Sequence, residues 1–102
     1  MTPTSTHAVT VKIGDLVFDR AAYDREGDVL YLHIGPPQAA ADGEETPEGH
    51  VVRYDTAGRI IGLTLVNARW LLEREGAITV TLPRPPVRVE AAELAVAFES
   101  LA

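Results

Sequence analysis

The sequence predicts an α+β domain: an antiparallel sheet of about five to six strands built from hairpins, a short helix after the fourth sheet strand, and a second helix at the C terminus. Three observations carry this. Apolar and polar residues alternate at strand period in several short runs, separated by Gly, Asp and Pro. The pattern Tyr-Asp-x-x-Gly occurs twice, at 23–27 and 54–58, each time ahead of an apolar run. Two later segments, 68–75 and 90–102, carry helix signals.

The elements follow in order. Residues 1–7 hold Thr, Ser and Pro and read as a flexible tail. "AVTVKI" at 8–13 alternates, Gly14 and Asp15 suit a two-residue hairpin turn, and "LVFDRAAY" at 16–23 returns as a less regular strand. After a turn at 24–27, "DVLYLHI" at 28–34 is a strong strand. The segment 35–49 has three Pro and four acids without periodicity, and reads as a long loop. Strands are expected at 50–55 and 59–66. Asn67 is placed to cap a helix over 68–75 with its side-chain oxygen, and Gly76 to end it. "AITVTL" at 77–82 alternates again, and the prolines at 83–86 stop it. From Glu90 onward, Leu94, Phe98 and Leu101 fall on one narrow helical face and form a candidate interface.

Length and charge bound the function. A chain of 102 residues suits one domain, 1–102, with a hairpin core at 8–68 and a helix, strand and helix over 69–102. Nine basic residues are scattered among fifteen acidic ones, for a net charge of −6. Nucleic acid and anionic membranes are therefore poor partners. No apolar run approaches the roughly 20 residues of a membrane span, and the N terminus has no signal-peptide pattern. The absence of cysteine fits the cytoplasm and removes thiolate chemistry.

The doubled pattern has a complete structural reading. Asp24 and Asp55 can each tie a turn by accepting backbone amides, while Gly27 and Gly58 allow the chain to return. A competing reading makes Asp24, Asp28 and Asp55 an acidic cluster for a cation, which requires the two turns to converge. Alternation places Leu30, Leu32, Ile34, Ile61, Leu63 and Leu65 on a core face. The opposite face carries Tyr31, His33, Gly62 and Thr64, and mid-strand Gly62 implies a close approach by a neighbour such as Tyr31, or by a ligand. Tyr31, His33, His50 and Thr64 are the candidate ligand-binding residues. His33 and His50 form a metal or acid–base pair only if adjacent strands bring them together. No nucleophile elbow, phosphate loop or His-x-x-x-His spacing is present, so neither a catalytic residue nor a cofactor is expected.

Two of these segments together resemble a known family. "YDREGDVLYLHIG", then an acidic loop, then "GHVVRYDTAGRIIGLTLVNA" is similar to the small prokaryotic domain of unknown function 2283, over about Tyr23 to Ala68. The first half matches at Tyr23, Asp24, Asp28, Leu30 and Tyr31. The second matches at Gly49, Tyr54, Asp55, Gly58, Ile60, Gly62, Asn67 and Ala68. The chain departs from the family at Arg53 and Thr64, where acids are frequent. The resemblance implies no established activity; it suggests an antitoxin-type partner role, which the acidic loop at 42–48 would serve against a basic protein. The leading expectation is a non-enzymatic, homodimeric protein-interaction module. A small-ligand or divalent-metal-binding protein is the alternative.

Overall fold

The computed structural model describes residues 6–36, 38–83 and 86–91. Among these, the elements in chain order are β1 (Thr6–Ile13), β2 (Leu16–Asp24), β3 (Val29–His33), β4 (Asp42–Glu45), β5 (Val51–Tyr54), β6 (Ile60–Val66), α1 (Ala68–Glu75), β7 (Ile78–Leu82) and β8 (Val87–Ala91). The first six strands form one antiparallel sheet in the spatial order β1-β2-β3-β6-β5-β4, and β7 pairs with β8 in a second.

The described chain is thus mostly β, not α+β. Its helix covers 68–75 but follows the sixth strand, not the fourth, and one of the strands before it, β4, lies in the expected loop at 35–49. The "DGEE" of β4 has no strand propensity of its own; β5 imposes the conformation by pairing Asp42 with Tyr54 and Glu45 with Val51. A short, acidic edge strand also discourages pairing with other chains. The expected C-terminal helix fails at its start, since Glu90 and Ala91 belong to β8 and pair with Thr79 and Ile78. Its remainder, with Leu94, Phe98 and Leu101, lies outside the described residues.

One core joins the two sheets. Leu30, Leu32, Leu63, Leu65, Val52 and Tyr54 from the large sheet are buried together with Ile78, Val80, Leu82 and Ala91 of the β7–β8 hairpin. Each fully buried Leu or Ile contributes roughly 1.5–3 kcal/mol. The core face is covered by this hairpin rather than by α1, which is too short to do so and fully buries only Ala68. β2 shifts phase on the way: Phe18 and Ala21 are both buried, three positions apart. A register irregularity in β1 between Ala8 and Val11 accompanies the shift.

The doubled motif becomes an internal symmetry. Its copies lie 31 positions apart in sequence, Tyr23 against Tyr54. In the sheet centre, β3 and β6 pair antiparallel with Leu32 opposite Leu63, which are also repeat mates. A pseudo-two-fold axis therefore passes through this pair. It sends the two Tyr-Asp corners to opposite ends of β6, a strand of seven residues, or about 23 Å at strand rise.

The corners are built alike but not identically. Asp24 Oδ1 accepts the amides of Glu26 at 3.1 Å and Gly27 at 3.3 Å. Asp55 Oδ1 accepts those of Ala57 and Arg59, both at 2.9 Å. Gly58 has φ +79 with nothing within 4 Å of where a Cβ would lie, so its requirement is purely conformational. Gly27 is needed for space instead: a Cβ there would meet Asp24 Oδ2 at 2.9 Å, and the positive φ passes to Asp28, at 53°. Gly58→Ala is expected to lower stability by about 1 kcal/mol and Gly58→Asn by less, as read by urea unfolding.

Candidate functional site

Two carboxylates anchor the elements that follow the large sheet. Asp28, at the end of the first corner, sends its carboxylate to the start of α1. Oδ1 accepts the Arg69 amide at 2.8 Å and Oδ2 the Trp70 amide at 3.1 Å. The Asp28 carbonyl takes the Ala68 amide at 3.1 Å. One residue thus satisfies three of the helix's orphan N–H groups. Asn67 was the expected cap, but it sits at φ 56 and makes no side-chain cap bond; its carbonyl accepts the Leu71 amide at 2.9 Å.

Tyr23 completes the clasp by donating its hydroxyl to Asp28 Oδ1 at 2.7 Å. Burial, then the hydrogen bond and charge of Asp28, push the Tyr23 hydroxyl up to about 12. Burial also acts to raise the Asp28 carboxyl. The amides of Arg69 and Trp70 and the Tyr23 hydroxyl outweigh it and hold Asp28 below its ordinary value.

Glu48 does for β7 what Asp28 does for α1. From the β4–β5 turn it accepts the Thr81 amide at 2.9 Å and the Thr81 hydroxyl at 2.6 Å. Burial opposes ionisation of Glu48, yet these bonds and the Thr46 hydroxyl keep its pKa low. Asp55 is held low first by the Arg59 amide, against some desolvation, and further by the Arg59 side chain, which pairs with it at 3.0 Å.

The far face of the large sheet carries the sequence candidates, and cross-strand register arranges them in rows. The described elements outside this sheet contribute their buried residues to the core on the other side. One row runs Ala22, Tyr31, Thr64, Val51, with Val29 and Val66 as the next pair along. Tyr31 is 39% exposed and stands between two smaller side chains, Ala22 and Thr64. The adjacent row runs Arg20, His33, Gly62, Arg53.

Gly62 explains itself in that second row. A Cβ placed there would meet Arg53 Cβ at 3.5 Å, Arg53 Cδ at 3.6 Å and the Leu32 carbonyl at 3.4 Å. The close neighbour is the Arg53 stem, not the Tyr31 ring. Arg20 and Arg53 were not among the sequence candidates. Their parity was readable in Arg53, two positions from Val51, but hidden in Arg20 by the phase shift of β2.

The two histidines do not meet. His33 lies on the far face beside Arg20, with Nδ1 3.2 Å from the Gly35 carbonyl. His50 has the parity of Val52 and Tyr54 and is buried on the core side, 1% exposed. Its Nδ1 accepts the Val66 amide at 3.1 Å, so the neutral ring carries its proton on Nε2. Nε2 is enclosed without a partner in hydrogen-bonding geometry. Burial lowers the His50 pKa, partly offset by Glu48 and the Thr79 carbonyl. The Asp24, Asp28 and Asp55 cluster is also dispersed, since the corners lie at opposite sheet ends. Among the described residues, no group of three or more His, Asp or Glu is placed to hold a metal.

These contacts define a small antiparallel β domain whose hairpin corners are tied by aspartates, one of them reaching out to seat a helix. Residues 20–69, from β2 to the first turn of α1, match the family described as Protein of unknown function (DUF2283). The match encloses both Tyr-Asp corners, Asp28 with Tyr23 and Arg69 of its clasp, and the far-face rows, while Trp70 lies just beyond it. No curated protein and no solved structure matches the chain. No helix among the described residues is long and apolar enough to cross a membrane.

Proposed function

We propose that the chain is a non-enzymatic protein-interaction module of the cytoplasm that associates with a second copy of itself through the far face of the large sheet. The observation that carries this reading is the relief of that face. Tyr31 protrudes from β3 between Ala22 and Thr64, with half-buried Val29, Val51 and Val66 around it. Such a ridge beside shallow grooves is self-complementary under a two-fold operation: each copy's Tyr31 lies in the groove of the other. The titratable groups support a binding role in turn. Asp28, Glu48, Asp55 and His50 have shifted pKa values, and each of them accepts a backbone N–H of the fold.

Sedimentation velocity over a wide concentration range tests this. The native chain is expected to dimerise with rising concentration, and Tyr31→Thr to remain monomeric with an unchanged circular dichroism spectrum. A native chain that stays monomeric throughout, or a Tyr31→Thr variant that dimerises as well, overturns the reading.

A further inference from the structure

We propose that the row Arg20, His33, Arg53 on the far face is a binding site for a phosphate-type oxyanion, with Gly62 as its floor. Cross-strand register sets Arg20 beside His33, His33 beside Gly62, and Gly62 beside Arg53. Neighbouring strands are about 4.8 Å apart, so the two arginine Cα atoms stand roughly 14 Å from each other. Extended guanidinium stems close most of that gap. Arg53 already leans inward, its Cδ 3.6 Å from where a Gly62 Cβ would lie. With no side chain at 62, the Arg53 stem lies across the strand toward His33 and Arg20.

Two nitrogens there are unmet. Arg20 Nε and His33 Nε2 are shut off from solvent and have no hydrogen-bond partner. The ion pairs among the described residues are Arg59 with Asp55 and Arg69 with Glu73, and neither Arg20 nor Arg53 takes part in them. In a chain of net charge −6, carboxylates outnumber cations, yet among the described residues none forms an ion pair with this row. Leaving a buried charged donor unsatisfied is costly, and an oxyanion removes that cost with charge-assisted bonds.

The chemistry of His33 selects the class of anion. Nδ1 faces the Gly35 carbonyl and so carries a hydrogen in either charge state. Nε2 is then an acceptor in the neutral ring and a donor in the imidazolium. A phosphate near neutral pH offers both an O–H and bare oxygens, and meets Nε2 in either state. Its remaining oxygens point out of one plane, toward guanidinium groups arriving from opposite sides. A planar carboxylate would be used up by a single arginine fork.

The site lies within one copy and does not rest on the proposed self-association. The test is a titration of the full chain with inorganic phosphate, followed by backbone amide NMR at constant ionic strength set with sodium chloride. Saturable shifts are expected at Arg20, His33, Gly62 and Arg53. Arg20→Gln and Arg53→Gln are each expected to weaken binding about tenfold or more. Tyr31→Thr is expected to bind as the native chain does, which separates this site from the dimer face. A parallel titration with glycerol phosphate tells a free ion from an esterified group by which binds tighter. The absence of saturable shifts at the row with either titrant, or shifts that persist in both arginine variants, overturns the proposal.

Discussion

Asp28→Ala is expected to lower the unfolding free energy by about 2–4 kcal/mol, the largest effect expected of an exposed or half-buried residue in this chain. Three charge-assisted bonds end on its carboxylate, from Tyr23, Arg69 and Trp70. Losing a helix cap alone costs about 1 kcal/mol. The change also removes the Asp28 bond of the part-buried Tyr23 hydroxyl, and it puts alanine at φ 53, a conformation that aspartate tolerates better. Two companions separate these causes. Asp28→Gly relieves the backbone and keeps only the loss of the carboxylate, so it is expected to fall between native and Asp28→Ala. Asp28→Asn keeps one acceptor oxygen and is expected to recover about half of the loss. Urea unfolding followed by circular dichroism measures all three. An Asp28→Ala variant within about 0.5 kcal/mol of native would show that the helix start does not depend on this residue.

Mild acid is expected to unfasten the fold at His50. The folded pKa is depressed below 6.5, so the unfolded chain binds a proton that the folded chain refuses. Stability is therefore fully present above about pH 6.5 and falls as the pH drops toward the folded value, with a limiting slope of about 1.4 kcal/mol per pH unit. Protonating Nδ1 would also set an N–H against the Val66 amide that now donates to it at 3.1 Å. The depressed carboxyls of Asp28, Glu48 and Asp55 follow the same sign but act lower, as pH falls below their ordinary range near 4. His50→Gln retains a side-chain acceptor without the titration, and is expected to flatten the fall in stability that begins below about pH 6.5. Denaturant midpoints across that window measure the difference; equal slopes in native and variant would refute the assignment.

Much of this architecture can be read in the residues, and the failures are physical. Strands with regular alternation, such as Leu30 with Leu32 and Ile78 with Val80 and Leu82, declare both their existence and their buried face. β4 does not, because Asp42–Glu45 owes its extension to the partner strand and not to its own side chains. β8 was hidden for a different reason. "VRVEA" alternates, but its last two residues, Glu90 and Ala91, also open "EAAELAVAF", whose helical spacing claims them. The turn roles of Asp24 and Asp55 are local, spanning four residues at most, and so were legible. The reach of Asp28 to Arg69 crosses 41 positions and has no local signature. His33 and His50 could have been separated by parity alone, since His50 is in phase with Val52 and Tyr54.

The axis through Leu32 and Leu63 bears on how the two corners diverge. Two like hairpins joined about a two-fold axis amount to a homodimer written in one chain. In a true homodimer every substitution appears twice, so a change that helps one end must be tolerated at the other. Fusion into a single chain lifts that constraint. At one corner the position holds Asp28, which seats a helix; at its repeat mate stands Arg59, which turns back on Asp55. The same freedom lets β3 carry the bulky Tyr31 and His33 while β6 carries the slight Gly62 and Thr64 opposite them. A sheet of two like halves thereby has a front corner, a back corner and a textured face, none of which a strictly symmetric pair could hold.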